Sequence, residues 1–409
     1  MGKPIVIVGA GLAGAKSAEH LRTLGYTDDL VLIGNEAERP YERPPLSKDY
    51  LNGKAERESV FVHPEGWYGE HEVDLRLGHA VTELDRASQR VTLADGASVD
   101  YHRLLLATGS RPRTLDSVPG GDSDSLLYLR ALGDSETIRA RIAASSRLIV
   151  IGAGWIGLEV TAAARAAGVE VTIIESAPLP LLRVLGPEIA ESFAALHRSN
   201  GVDLRLGVTL AEIFGDGARP CGVRLADGTT LPADAVLVGV GATPNSELAA
   251  AAGLPATDGI EVDASLRSAD PAIFAAGDVA AAQHPLYGRR IRVEHWANAL
   301  NQPAVAAAAM LGQDVVYDRL PYFYTDQYDL GMEYLGYVEP GGYDAVTVRG
   351  DLDRREYIAF WTKANRVQAA MNVNVWDVSE DLKRIITSGQ SIDSNRLGDE
   401  SVPLSDLVD

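Results

Sequence analysis

One nucleotide-binding pattern occurs twice in this chain, and that duplication narrows the folds open to it more than any other feature. Residues 5–34 read IVIVGAGLAGAKSAEHLRTLGYTDDLVLIG, and residues 148–175 read LIVIGAGWIGLEVTAAARAAGVEVTIIE. Each copy has an apolar strand, a glycine triplet, a helix with an alanine-rich face, a Gly turn and a second apolar strand. The triplets are Gly9, Gly11 and Gly14, then Gly152, Gly154 and Gly157. In this arrangement the first glycine permits the tight strand-to-helix turn. The second lets the backbone approach a pyrophosphate, and the third lets helix and strand pack closely. The phosphate then meets the helix N-terminus, where free N–H groups and the macrodipole favour negative charge. An α/β fold with two Rossmann-like dinucleotide-binding domains follows.

An acid near the end of each second strand is expected to hydrogen-bond a ribose. In the second copy it is Glu175, whose charge repels the 2′-phosphate of NADPH and favours NADH. Ser176 follows, and the next arginine is Arg183, which keeps NADPH open. In the first copy the strand runs into Gly34-Asn35-Glu36, and either Asn35 or Glu36 faces the ribose; a solvated loop charge is the other reading of Glu36. Three further strands end in turns: residues 104–111 (LLLATGSR), 235–245 (AVLVGVGATPN) and 273–279 (IFAAGDV). Alone, each fits a buried strand with a turn. Beside the twin glycine units they mark a flavoprotein that holds two dinucleotides.

Composition removes several other classes. The chain has 409 residues, enough for two to four domains, with 46% hydrophobic and 23% charged residues. A disordered chain is excluded, because it could not bury enough apolar surface to offset its ordering entropy. Lys plus Arg total 37 and Asp plus Glu total 57, so the formal charge is −20. That balance argues against nucleic-acid binding, which requires a basic face. The single cysteine, Cys221, in a Pro-Cys-Gly loop, excludes an internal disulfide, a thiolate zinc site and a redox-active cysteine pair. No metal site is expected. No charged n-region with an apolar stretch and cleavage site precedes the strand-like run at 5–8, so a signal peptide is not expected. The alanine-rich run at 304–311 is far short of the ~20 residues that span a bilayer. A cytoplasmic protein without membrane contact is expected, as a monomer or homodimer.

Read as a whole, the sequence resembles the FAD-containing, NADH-dependent ferredoxin reductases that serve bacterial oxygenases, a family that includes putidaredoxin reductase and the reductases of biphenyl and toluene dioxygenases. The resemblance covers essentially the whole chain. It rests on GAGLAG at 9–14, PYERPPLSK at 40–48, ATGSRPR at 107–113, GAGWIGLE at 152–159, GVGATPN at 239–245, GDV at 277–279 and VEHWANA at 293–299. It implies a discontinuous FAD domain (1–109 and 244–320), an NAD domain (110–243) and a C-terminal α+β domain (321–409). Turn-rich stretches at 109–124 and 241–245 flank the second glycine unit. Beyond Pro321 the chain becomes tyrosine-rich, and the alternating runs 355–362 and 367–375 read as antiparallel strands.

The resemblance also implies roles. FAD contacts fall to Gly9, Gly11, Leu12, Ala13, Gly14, Asn35, Glu36, Arg43, Lys48, Val81, Ala107, Thr108, Gly109, Arg130, Gly277, Asp278, Val279 and Trp296. NAD contacts fall to Gly152, Gly154, Trp155, Ile156, Gly157, Glu159, Glu175, Arg183 and Gly241. Asp278 is expected by the ribityl and phosphate part of FAD, with a turn-capping role as the plainer reading. Trp296, just before a helical run at 297–311, is expected close to the isoalloxazine, with core packing as the plainer reading. Glu159, on the first turn of the second glycine helix, is expected near the nicotinamide and paired with Lys48; a helix-dipole acid is the alternative. Lys48, Glu159 and Trp296 are thus the catalytic candidates.

The implied chemistry is hydride transfer from NADH to FAD, then single electrons to a 2Fe–2S ferredoxin, docked near Arg289, Arg290 and Arg292. Rubredoxin reductases share the order of motifs and are the alternative, together with NADH oxidases and other pyridine-nucleotide-dependent flavoproteins of this fold. A disulfide reductase needs a CxxxxC pair, and the cysteine-dependent NADH oxidases need a Cys around Leu46-Ser47. The chain has neither.

Overall fold

The computed structural model describes residues 2–215 and 220–409. The chain divides into two compact units. The first comprises Met1–Arg43, Glu56–Arg111 and Thr243–Pro321; the second comprises Pro44–Ala55, Pro112–Ala242 and Tyr322–Asp409.

The first unit is built on a parallel sheet. Its strands lie in the order Ile273–Ala275, Arg103–Leu106, Ile5–Val8, Leu30–Ile33, Val73–Arg76. The central strands are unbroken apolar runs, and Ile5, Val6, Ile7, Leu32 and Leu104 to Leu106 are fully buried. A parallel strand covered on both faces has no solvated side on which to alternate polar residues. The helix Leu12–Thr23 follows the first strand and packs against Trp296–Met310 through alanine-rich faces. Antiparallel sheets at Val81–Asp85/Arg90–Leu93/Ser98–Asp100 and Ile260–Val262/Ala280–His284/Arg289–Ile291 complete the unit, the latter with one parallel pairing.

The second unit carries the second parallel sheet, ordered Asp203–Leu206, Glu170–Glu175, Arg147–Ile151, Ala235–Val238. Its glycine helix is Trp155–Ala166. Residues 322–373 form a five-stranded antiparallel sheet in the order Tyr322–Gln327, Leu330–Gly336, Arg366–Val373, Glu356–Lys363, Ala345–Asp351. The two sheets share one core: Leu158, Phe193 and Val150 pack in the same buried cluster as Leu330, Tyr357 and Trp361. The Trp361 indole N–H donates to the carbonyl of Leu185, 3.1 Å away.

Cys221 departs from the loop expected of its Pro-Cys-Gly sequence. It lies not in a loop but on the strand Pro220–Leu225, paired on both sides by Leu210–Gly215 and Thr230–Pro232, where it is exposed.

Candidate functional site

The two glycine cradles obey the same geometry. At Gly9, with φ +116°, a Cβ would lie 2.1 Å from the carbonyl oxygen of Ala107; at Gly14 it would lie 2.0 Å from that of Gly9. At Gly152 the obstacle is the Gly239 carbonyl at 2.4 Å, and at Gly157 it is the Gly152 carbonyl at 2.4 Å. The fold itself therefore demands the first and third glycines. The second is different. A Cβ on Gly11 would meet nothing within 4 Å, and one on Gly154 would meet only the Gly239 oxygen at 3.8 Å. Both sit at the N-cap with ordinary negative φ and no side-chain cap, and neither helix has an acid in its first turn. Packing does not explain these glycines. A pyrophosphate brought onto the helix N-terminus does, so both cradles fit a dinucleotide.

Around the first cradle, Glu36 is half-buried and Asn35 exposed. The Glu36 carboxylate takes a 3.0 Å bond from Arg43 and a short one from the Tyr41 hydroxyl. Burial disfavours the Arg43 charge, but Tyr41 and Glu36 outweigh that and hold its pKa above the ordinary value. Ala107 donates its N–H to the Val8 carbonyl (2.7 Å), two residues before Gly109 at φ +67°. The Thr108 hydroxyl donates to the Asn245 carbonyl (2.6 Å), and the Asn245 amide donates back to that of Thr108 (2.8 Å). Two of the motif turns are thus locked together.

Asp278, 9% exposed, accepts from Ser110 at 2.9 Å. Gly277, at φ +80°, donates its N–H to Gln302, and Val279 is fully buried. Leu12 and Ala13 are buried in the first helix, and Val81 opens an antiparallel strand, half-buried. Trp296 is the first residue of its helix, not the residue before it, and donates to Glu42 at 3.1 Å. His295, at the N-cap, is half-buried, and the loss of solvent around its ring lowers its pKa to about 4.

Around the second cradle, one Glu175 oxygen accepts from the N–H of Ala153 (2.8 Å) and the other from that of Ala177 (2.7 Å). The carboxylate therefore ties the end of its strand to the glycine loop. Gly241, at φ +109°, accepts from the Arg113 N–H. Arg183 and Ile156 are exposed, the latter at 41%. Trp155 packs edge-on against Phe193 and Phe323, with centroids 5.6 and 5.1 Å away.

Lys48 and Arg130, which the resemblance links to FAD, belong to the second unit. Arg130 leads into the helix Leu132–Ala144, with its N–H on Asp134. Lys48 Nζ lies 2.8 Å from Glu159 Oε1. Glu159 is the fifth residue of its helix and not in the first turn, so the helix dipole does not account for it. It is 5% exposed and also accepts hydrogen bonds from Ser47 and, at 2.6 Å, from Thr325. Thr325 went unnoticed in the sequence because it carries no motif and lies far from Glu159 along the chain.

The arginine cluster is less free than its sequence suggests. Arg292 has an 11% exposed side chain that pairs with Asp258 (2.9 Å) and Glu294 (2.7 Å), and Arg290 pairs with Glu261 at 3.2 Å. No cluster of metal-ligating side chains and no helix long and apolar enough to cross a membrane occurs among the described residues.

Residues 3–303 match the family described as pyridine nucleotide-disulphide oxidoreductase, and residues 322–408 match the reductase C-terminal family. The chain is 41% identical over 408 residues to putidaredoxin reductase of Pseudomonas putida, covering 99% of this chain and 96% of that one. It is 42% identical over 410 residues to the ferredoxin–NAD(+) reductase component of the anthranilate 1,2-dioxygenase system of Burkholderia cepacia, covering 99% of each. Among solved structures, the covalent putidaredoxin reductase–putidaredoxin complex matches with a TM-score of 0.94 and 40% identity, over 99% of this chain and 98% of that chain.

Proposed function

Because the chain belongs to the pyridine nucleotide-disulphide oxidoreductase family and ends in its reductase C-terminal region, we propose that it is an FAD-dependent reductase that draws electrons from NADH for a 2Fe–2S ferredoxin serving an oxygenase. Bound FAD supplies the ability to accept a hydride and release its electrons singly. The observation that carries this reading is the duplicated cradle in a chain whose only cysteine is exposed on a strand. Two dinucleotides are provided for, with no disulfide to pass electrons onward, so the electrons leave to a separate acceptor.

The first unit is assigned to FAD and the second to NADH. In the first, Arg43 and the N-terminus of Trp296–Met310 offer positive charge against a pyrophosphate or a reduced ring. Asp278 offers an acceptor for ribityl hydroxyls, and Trp296 offers an aromatic face. In the second, Glu175 faces the ribose and selects against a 2′-phosphate, and the Lys48–Glu159 pair orients the nicotinamide. No general base is required. The cytoplasm, where NADH is regenerated, is the assigned compartment. Docking of the acidic ferredoxin is assigned to the hairpin whose second strand opens with Arg289 and Arg290. Arg292 serves inside its own ion-pair cluster.

The test is cytochrome c reduction driven by NADH or NADPH, with and without a 2Fe–2S ferredoxin. Strong stimulation by ferredoxin with NADH preferred is the expected result. Equal NADH oxidation with oxygen alone, unaffected by ferredoxin, would replace this reading with an oxidase.

A further inference from the structure

The buried chain of polar side chains behind Glu159 has a direction. Thr325 has one hydroxyl proton, and it goes to Glu159 Oε1 at 2.6 Å. Its oxygen therefore receives the Gln327 Nε2–H at 3.2 Å, which turns the Gln327 carbonyl toward His197 Nε2 at 2.9 Å. His197 then carries its proton on Nε2 and accepts from the Tyr328 hydroxyl on Nδ1, at 3.3 Å. The reversed Gln327 amide would set two acceptors against each other at Thr325, because the only hydroxyl proton there is already engaged. Each donor from Tyr328 to Thr325 thus points toward the Glu159 carboxylate. Thr325, Gln327 and His197 are 1%, 1% and 0% exposed, so water does not supply these bonds.

The placement follows from two periodicities. Phe323, Thr325 and Gln327 share one face of the strand Tyr322–Gln327. Trp155 and Glu159 share one face of the helix Trp155–Ala166. Two strand residues rise about 6.6 Å and four helical residues about 6 Å, so the two faces stay in step. Phe323 meets Trp155, and one pair further along Thr325 meets Glu159. Lys48 reaches the same Glu159 oxygen, Oε1, and sits 5.4 Å from the centroid of the Tyr324 ring.

We propose that Thr325 is a positioning residue for hydride transfer: held by the Gln327–His197–Tyr328 chain, its hydroxyl fixes the Glu159 carboxylate and, through it, the Lys48 ammonium. The C-terminal strand thereby takes part in orienting the nicotinamide. This rests on the reading of Lys48–Glu159 as the nicotinamide-facing pair.

The experiment compares Thr325→Val, Thr325→Ser and Glu159→Gln as FAD-loaded proteins. Three quantities are read: affinity for a non-reducing tetrahydro analogue of NADH, the rate of flavin reduction at saturating NADH, and reoxidation of the dithionite-reduced protein by ferricyanide. Losing one hydrogen bond to a charged group is expected to slow flavin reduction about tenfold in T325V and to weaken the analogue about threefold. T325S, which keeps the hydroxyl, is expected to stay within about twofold of the unaltered protein on both. Reoxidation does not involve the nicotinamide and is expected to be unchanged in each. Gln327→Met leaves the hydroxyl but removes its donor, and is read in the same way if T325V loses flavin. Unaltered reduction in T325V and Q327M, failure of serine to rescue, or a parallel loss in reoxidation overturns the proposal. If E159Q itself reduces flavin at the unaltered rate, the reading of Glu159 falls instead, and the two failures are told apart.

Discussion

His197 shows how a single buried residue sets a pH limit on the molecule. Burial drives its pKa from 6.5 down to about 4, against the opposing effect of the hydrogen bond to Gln327. The native imidazole thus stays neutral where the unfolded chain takes up a proton. Above pH 6.5 the stability it contributes is complete. It is lost as pH falls from 6.5 toward about 4, and the loss levels off below that. The steepest slope is about 1.4 kcal/mol per pH unit. His295 behaves the same way in the first unit. Urea denaturation at pH 7 and pH 5 is the measurement. Replacing His197 with Asn should shrink the stability gap between the two pH values by about 2 kcal/mol, whatever the substitution costs at pH 7. An undiminished gap would show that the acid sensitivity lies elsewhere.

At the scale of the element, the strand–glycine–helix unit separates what folding requires from what a ligand requires. Gly157→Ala drives a methyl toward the Gly152 carbonyl at 2.4 Å, with Val150 at 3.2 Å behind it. A loss of about 3–5 kcal/mol is expected, because neither backbone nor core can retreat. Gly154→Ala meets only an oxygen at 3.8 Å, at φ −83°. Its melting temperature without NADH should correspond to a change within about 0.5 kcal/mol, while its KM for NADH rises at least about tenfold. Thermal melts and steady-state kinetics on both variants check this, and a destabilised G154A would mean that packing, not a pyrophosphate, requires that glycine. These elements were readable in the sequence because their determinants are local: a glycine triplet and its flanking apolar strands lie within one short segment. The Thr325–Glu159 bond was not readable, because its partners are 166 residues apart and an ordinary strand threonine carries no signal. The Lys48–Glu159 pair lies between these cases. Its residue types were known from the resemblance, but its burial and its Ser47 and Thr325 partners were not.

For the whole molecule, the formal charge of −20 turns partner binding into a competition between distance ranges. An acidic ferredoxin is repelled at long range and attracted only by local cations. On the proposed docking face, the turn between Ala280–His284 and Arg289–Ile291 holds Leu286, 42% exposed, and Arg289 and Arg290 open the second strand, the latter paired with Glu261. Salt acts unequally on the two effects. Near 0.1 M the screening length is about 10 Å, so diffuse repulsion fades before contact pairs do. Ferredoxin-dependent turnover should therefore rise with added salt and then fall as the contact pairs are screened in turn. Reversing Arg289 and Arg290 to glutamate should remove the falling limb, raise the KM for ferredoxin about tenfold at low salt, and leave the KM for NADH unchanged. Arg292→Glu serves as the contrast: its side chain is 11% exposed between Asp258 and Glu294, so its cost should appear in the melting temperature before it appears in docking. If charge reversal at the hairpin shifts both Michaelis constants equally, the contact lies on another face, and the net charge alone governs the salt response.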